Sequence, residues 1–204
     1  TPSTASGVEG LIKTLPGVGS SNELSSEYSV RGGNFDENLV YVNGIEIYRP
    51  FLVSSGQQEG LSFINPALIS SIKFSSGGFG AEYGDKMSSV LDIQYLHPRN
   101  FGGSMSVSLL GADFSLHGIS KNRKFTYLIG SRYKTNRYLL NSLETKGEYQ
   151  PRFLDFQSLF TYRFNKRWKL SLLTYFSDNQ YQVIPKNRQT DFGTVQQTLR
   201  FTVY

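Results

Sequence analysis

The stretch Phe153-Leu154-Asp155-Phe156-Gln157-Ser158-Leu159-Phe160-Thr161-Tyr162-Arg163-Phe164 decides the fold. Its even positions are Leu154, Phe156, Ser158, Phe160, Tyr162 and Phe164, while its odd positions include Asp155, Gln157, Thr161 and Arg163. A side-chain period of two sends these sets to opposite faces of an extended strand. The same dyad recurs around Phe125, Tyr127, Ile129 and Tyr133, around Trp168, Leu170, Leu172 and Phe176, and around Leu199, Phe201 and Val203. Alternating segments of about ten residues, separated by turns, are the pattern of a transmembrane β-barrel. A soluble antiparallel sheet with one wet face would also alternate. The lengths, aromatic ends and repetition favour the membrane.

The connections alternate in length. Residues 121–124 and 165–167 are short polar turns, whereas 136–152 and 179–192 are long and polar. Barrels of the outer membrane have short periplasmic turns and long extracellular loops. A wall that starts in the periplasm needs an up-and-down pair within 104–120, with its tight hairpin expected at Leu110-Gly111-Ala112-Asp113. The expectation is about six wall strands. The alternation runs to Tyr204, so the chain is expected to be a fragment, and Thr1-Pro2-Ser3-Thr4 carries no secretory signal.

The chain of 204 residues holds 15 Phe, 13 Tyr and 20 Gly, a composition that leans towards β structure. It has no cysteine, which excludes disulfides, thiolate nucleophiles and Cys-based zinc sites. No stretch approaches the ~18 apolar residues of a membrane helix. The net charge is +5. With Lys and Arg spread singly, that balance reads as a solvated surface or barrel rim rather than a nucleic-acid site.

Composition shifts near Pro98-Arg99-Asn100. Before it, Val8, Leu11, Ile12 and Leu15 have helical spacing, Ser6 and Glu9 suit a capping box, and Pro16-Gly17 stops the helix. Short strands are expected at Tyr28-Ser29-Val30, Leu39-Val40-Tyr41-Val42, Ile45-Glu46-Ile47, Ile72-Lys73-Phe74 and Val90-Leu91-Asp92-Ile93. Asn43-Gly44 is a tight-turn signal, and Asn65-Pro66 suits a helix start running to about Ser70. Domain boundaries of 1–97 and 98–204 follow.

Catalytic patterns are absent from the sequence. His97 and His117 lie in no metal-binding spacing, and nothing positions Asp36, Glu37 or Asp92 as an acid–base pair. Gly77-Gly78-Phe79-Gly80-Ala81-Glu82-Tyr83-Gly84 has the wrong spacing for a phosphate loop. Its glycines are expected to serve positive-φ turns and close backbone approach. No metal or cofactor is expected.

Six segments resemble, in order, the plug domain of TonB-dependent transporters. They are Leu15-Pro16-Gly17-Val18, Tyr28-Ser29-Val30-Arg31-Gly32-Gly33, Asn38-Leu39-Val40-Tyr41-Val42-Asn43-Gly44-Ile45, Asn65-Pro66-Ala67-Leu68 through Phe74, Gly77 through Gly84, and Ser88-Ser89-Val90-Leu91-Asp92-Ile93. The wording looks most like transporters of the Bacteroidetes group. Asn43 stands where the family usually has Asp, and Ser75-Ser76 replace a basic residue that the family uses as a latch to the wall.

The resemblance implies an α+β plug domain, a small mixed sheet with short helices, followed by antiparallel transmembrane β-barrel strands forming a partial barrel. It implies the Gram-negative outer membrane and a plug whose surface is wetted by a polar inner wall. It also implies energy-driven import of a glycan, peptide or metal chelate, not enzymatic turnover. TonB would act on a segment upstream of the chain, outer-membrane lipid would surround it, and an outer-membrane lipoprotein is a candidate partner; nucleic acid is not. A structural or secretion-linked subunit is the alternative. By this analogy Asn34, Phe35, Asp36, Tyr48, Arg49, Phe51 and Gln57 face the ligand, while Arg31, Gly32, Asn43, Gly44, Gly77, Gly80, Tyr83 and Gly84 shape the plug.

Overall fold

A computed structural model of the chain describes residues 7–20, 27–48, 62–135, 147–185, 189–190, 193–194 and 199–203. It opens with helix α1 (Val8–Ile12). This is a single turn, shorter than the apolar spacing implied. Val8 and Ile12 are buried, whereas Leu11 lies on the exposed side of the helix and Leu15 is exposed beyond its end at Ile12. Strands β1 (Val18–Gly19) and β2 (Ser29–Val30) pair antiparallel. The capping residue Ser6 lies outside the described residues.

The first sheet has four strands, β3 (Asn38–Val42), β4 (Ile45–Glu46), β5 (Ile69–Ser75) and β6 (Ser89–Tyr95), in the order β4-β3-β6-β5. β3 and β6 run parallel and the other pairs antiparallel, so the sheet is mixed. The Asn43-Gly44 turn joins β3 to β4, with φ near 52° and 79°, the left-handed region that such turns need. The helix expected after Asn65 is only a 3₁₀ turn, Pro66–Leu68. Asn65 caps it by accepting from the Ala67 amide at 3.0 Å. The chain then enters the sheet as β5, paired with β6, with Ile69 and Phe74 packed against the core while Ile72 is exposed.

Asn38 ties the loop before β3 to this sheet. Its Nδ2 donates to the Tyr28 carbonyl at 2.8 Å and its Oδ1 accepts from Ser89 at 2.7 Å. Nearby, Ser88 donates to Glu37 at 2.7 Å. Gly33 leaves the room for that contact: a Cβ there would lie 1.8 Å from Ser88 Oγ.

The second sheet has six strands in sequential antiparallel order: β7 (Gly102–Ser108), β8 (Gly111–Ile119), β9 (Phe125–Lys134), β10 (Gly147–Arg163), β11 (Lys169–Pro185) and β14 (Leu199–Val203). Two-residue strands β12 (Gln189–Thr190) and β13 (Gly193–Thr194) form a separate ribbon. The β7–β8 turn falls at Leu109-Leu110, just before the expected position, and Gly111 already opens β8. β10 and β11 are 17 residues each and absorb parts of the stretches expected as loops, 147–152 and 179–185. They keep pairing because their alternation continues past the apolar section.

One face of this sheet is apolar and exposed, carrying Met105, Val107, Phe114, Phe156, Leu170, Leu172 and Phe176. From Leu154 to Phe164 the rise is about 33 Å along the strand, or roughly 25 Å along a membrane normal at barrel tilt. That matches the thickness of an apolar barrel band.

Gly33→Ala is expected to destabilise the first sheet by about 1–3 kcal/mol, the range for overpacking a filled site. Denaturant melts of the variant check this, and Ser88→Gly in the same chain should recover part of the loss.

Candidate functional site

The inward face of the wall meets the first domain. Inward positions are Ser104, Ser106, Asp113, Ser115 and His117 on β7 and β8, then Leu128, Gly130 and Arg132 on β9, with Phe153, Asp155, Gln157 and Leu159 on β10. The seam is not wetted throughout, contrary to the expectation of a polar lining. Leu128 and Leu159 belong to the same buried cluster as Val40, Val42, Phe63, Ile64, Leu68, Leu91, Ile93 and Tyr95, with Leu173 and Tyr175 packed against it. The Phe63 and Tyr175 rings lie 4.7 Å apart. The two domains share one core because β9, β10 and β11 each place an apolar side chain inward within the polar row.

Polar bonds frame this dry centre. Arg132 and Asp155 face each other across the β9–β10 pair. Arg132 Nε donates to both Asp155 oxygens, and Nη2 donates to Oδ2 as well. Its Nη1 donates to the Ile64 carbonyl at 2.6 Å and Nη2 to the Ser62 carbonyl at 2.7 Å. Gln157 Nε2 donates to the Phe63 carbonyl between them. Gln157 Oε1 accepts from the Tyr95 hydroxyl at 2.7 Å. Burial pushes the Tyr95 phenol well above its ordinary range, so it stays protonated and able to donate.

Three successive carbonyls, 62 to 64, are thus held by wall side chains. Gly130 completes the fit: a Cβ there would meet Asn65 Nδ2 at 2.8 Å and Leu68 at 2.9 Å. Arg132, Asp155 and Gln157 appear in the sequence only as members of an alternation. The signal was that they are charged or amide residues on the face opposite the aromatics.

The residues singled out from sequence fall into two groups. Asn34 caps a 3₁₀ turn (Phe35–Glu37), and Phe35, Asp36 and Tyr48 are exposed. Arg49, Phe51 and Gln57 lie outside the described residues. Arg31 and Gly32 form a turn with φ of 51° and 80°, with the Arg31 amide bonded to the Gly17 carbonyl at 2.8 Å. Asn43 bridges strands, donating its amide to Ile93 and accepting from the Tyr95 amide at 2.9 Å through Oδ1, a bond that Asp would make equally.

Gly77 has a positive φ of 129°, and the Arg31 guanidinium sits 3.1 Å from where its Cβ would be. A cation therefore stands beside this turn although Ser75-Ser76 supply none. Gly80 and Gly84 are not at positive φ and have no close neighbour that a Cβ would strike, so neither need applies to them. Tyr83 folds the loop back over the sheet, donating to Asp92 at 3.3 Å and meeting Tyr41 edge-on at 5.3 Å. His97 is exposed and His117 half-buried over Gly102.

Residues 3–90 match the TonB-dependent Receptor Plug Domain family. The first domain is thus a plug domain of the TonB-dependent receptor family. The plug is therefore the first sheet with its loops, and the second sheet is barrel wall; these receptors are outer-membrane proteins of Gram-negative bacteria. The plug-and-wall arrangement is similar to that of the siderophore receptor PirA from Acinetobacter baumannii (16% identity, TM-score 0.57), over 87% of this chain and 29% of that one. It is also similar to the pyoverdine outer membrane receptor FpvA from Pseudomonas aeruginosa (13%, 0.61), over 88% and 26%. A ferric enterobactin receptor, PfeA, from the same organism matches at 16% and 0.58, over 85% and 30%. The chain thus spans less than a third of the length of these receptors. A comparison with curated proteins finds no match.

Arg132→Met is expected to cost about 3–5 kcal/mol by stranding the buried Asp155 charge. Arg132→Met with Asp155→Leu should recover much of the barrel's thermal stability. Limited proteolysis should nevertheless find the backbone near Ser62–Ile64 more readily cut in both variants, because the carbonyls have lost their donor.

Proposed function

We propose that the protein imports a scarce, bulky solute across the outer membrane, with the plug gating the lumen and TonB supplying the work through a segment upstream of the plug. The observation that carries this reading is the seam. Among the described residues the plug packs its core directly against β9 to β11. A solute would cross there only if plug segments rearrange, and breaking a buried, charge-assisted clamp needs an input of energy.

Glycan, peptide and metal chelate remain the cargo classes of this proposal. The exposed aromatic and polar side chains at Phe35, Asp36 and Tyr48 support a ligand surface on the plug. Asn34 belongs to the same group, and the sequence adds Arg49, Phe51 and Gln57. The similar structures are receptors for a siderophore, for pyoverdine and for ferric enterobactin, but identities of 13–16% carry the fold rather than the ligand. The proposal keeps the domain boundary at residues 97 and 98, in the connection between β6 and β7.

Tyr48→Ala combined with Arg49→Ala in the whole receptor should weaken ligand binding at least ten-fold while thermal melting stays unchanged. Uptake of the bound solute should cease when TonB is deleted. Uptake that survives TonB deletion, or growth indifferent to every solute while stable partners co-purify, would instead indicate a structural or secretion-linked subunit.

A further inference from the structure

The sequence holds two short basic turns far apart in the chain, and the fold brings them together. Strands β8 and β9 are joined by a turn carrying Lys121, Arg123 and Lys124. Strands β10 and β11 are joined by one bearing Arg163, Lys166, Arg167 and Lys169 at its tip and shoulders. Antiparallel pairing of β9 with β10 sets the two turns side by side, with the Arg163 amide donating to the Lys124 carbonyl at 2.8 Å. All seven cations are exposed, and no Asp or Glu occurs within 120–126 or 162–170. Among the described residues none of the seven has an ion-pair partner within 4.0 Å. They are seven of the 21 Lys and Arg, and removing them takes the net charge from +5 to −2. The basic character of the whole chain resides in this rim.

The turns present these charges on ordered backbone. Asn122 Oδ1 accepts from Ser120 Oγ at 2.6 Å and from the Lys124 amide at 3.1 Å. Asn165 Oδ1 accepts from the Arg167 and Trp168 amides at 2.8 Å each.

A second, independent feature points to what the rim meets. Immediately beyond the cations on the outward side stand exposed rings: Phe125, Tyr162, Phe164 and Trp168, the last 70% exposed. Phe125 stacks on Phe160 at 6.1 Å, and Tyr162 meets Phe164 edge-on at 4.8 Å. Leu170 and Leu172 follow on the lipid face. Rings between a charged tier and an apolar tier sit at headgroup level. Short turns mark the periplasmic side, so the rim lies in the periplasmic leaflet.

We propose that this double turn binds anionic phospholipid headgroups of the periplasmic leaflet, the turn cations Lys121, Arg123, Lys166 and Arg167 engaging the phosphates while the rings seat the glycerol region. Arg163 and its partner Lys169 share the inward face of the wall and add to the field from that side. Charge complementarity selects an anionic lipid over a zwitterionic one, since each basic residue near an anionic surface adds about 1 kcal/mol, or a factor of about five. Two rows of cations set by a fixed strand pairing make the rim a local binding site rather than a diffuse attraction.

The test uses the whole receptor in detergent micelles doped with phosphatidylglycerol or phosphatidylcholine, with bound lipids counted by native mass spectrometry. The wild type should retain phosphatidylglycerol preferentially. Lys121→Gln, Arg123→Gln, Lys166→Gln and Arg167→Gln combined should reduce that retention at least ten-fold. Exchanging the same four between Lys and Arg should preserve it, which separates charge from folding. Equal retention of both lipids by the wild type, or undiminished phosphatidylglycerol on the Gln variant, overturns the proposal. A Gln variant that keeps the lipid but loses an acidic periplasmic protein would assign the rim to a protein partner instead.

Discussion

The plug stays in register with the wall because one guanidinium and one amide hold three consecutive carbonyls. Arg132 reaches Ser62 and Ile64, Gln157 reaches Phe63, and Asp155 keeps the Arg132 guanidinium aimed. Side chains from two neighbouring strands thus read a backbone, not side chains, on the facing domain. The clamp fixes the path of 62–64, while the Phe63 and Ile64 side chains of the same segment are held in the shared core. The desolvation of the ion pair is offset in part by the bonds that Nη1 and Nη2 make to the Ile64 and Ser62 carbonyls.

The apolar centre beside this clamp has a different role. Leu128, Leu159 and Leu173 contribute non-directional burial, which makes the seam stable without specifying its position. Position comes from the clamp and from Gly130, whose missing side chain admits Asn65 and Leu68. Stability and alignment are therefore carried by different residues in adjacent rows of the same strands.

Much of the strand content was legible because alternation and turn chemistry are local. The Asn43-Gly44 hairpin and the β9 limits followed from neighbours in the chain. Helix α1 misled because Leu15 keeps helical spacing beyond the end of the helix, and Leu11 sits on its exposed side. The seam was not legible, because Arg132 and Asp155 become partners only through a register spanning the β9–β10 connection. The basic rim was hidden for the same reason: Lys124 and Arg163 are distant in sequence and adjacent in the sheet. Of the ligand-facing residues named from sequence, exposure is described for Asn34, Phe35, Asp36 and Tyr48 alone.

The shared core has a consequence for how such receptors diverge. Leu128 and Leu159 complete a cluster whose other members belong to the plug, so neither domain is an independent unit of inheritance. A plug transplanted into a foreign barrel would meet the wrong rows of leucine and the wrong carbonyl reader, however well its own sheet folded. Phe63, Ile64 and Leu68 pack where β9 and β10 present Leu128, Gly130 and Leu159, so a substitution on one side is felt on the other. Recombination between receptors should therefore preserve the early wall strands together with their plug, and place its junctions later in the barrel.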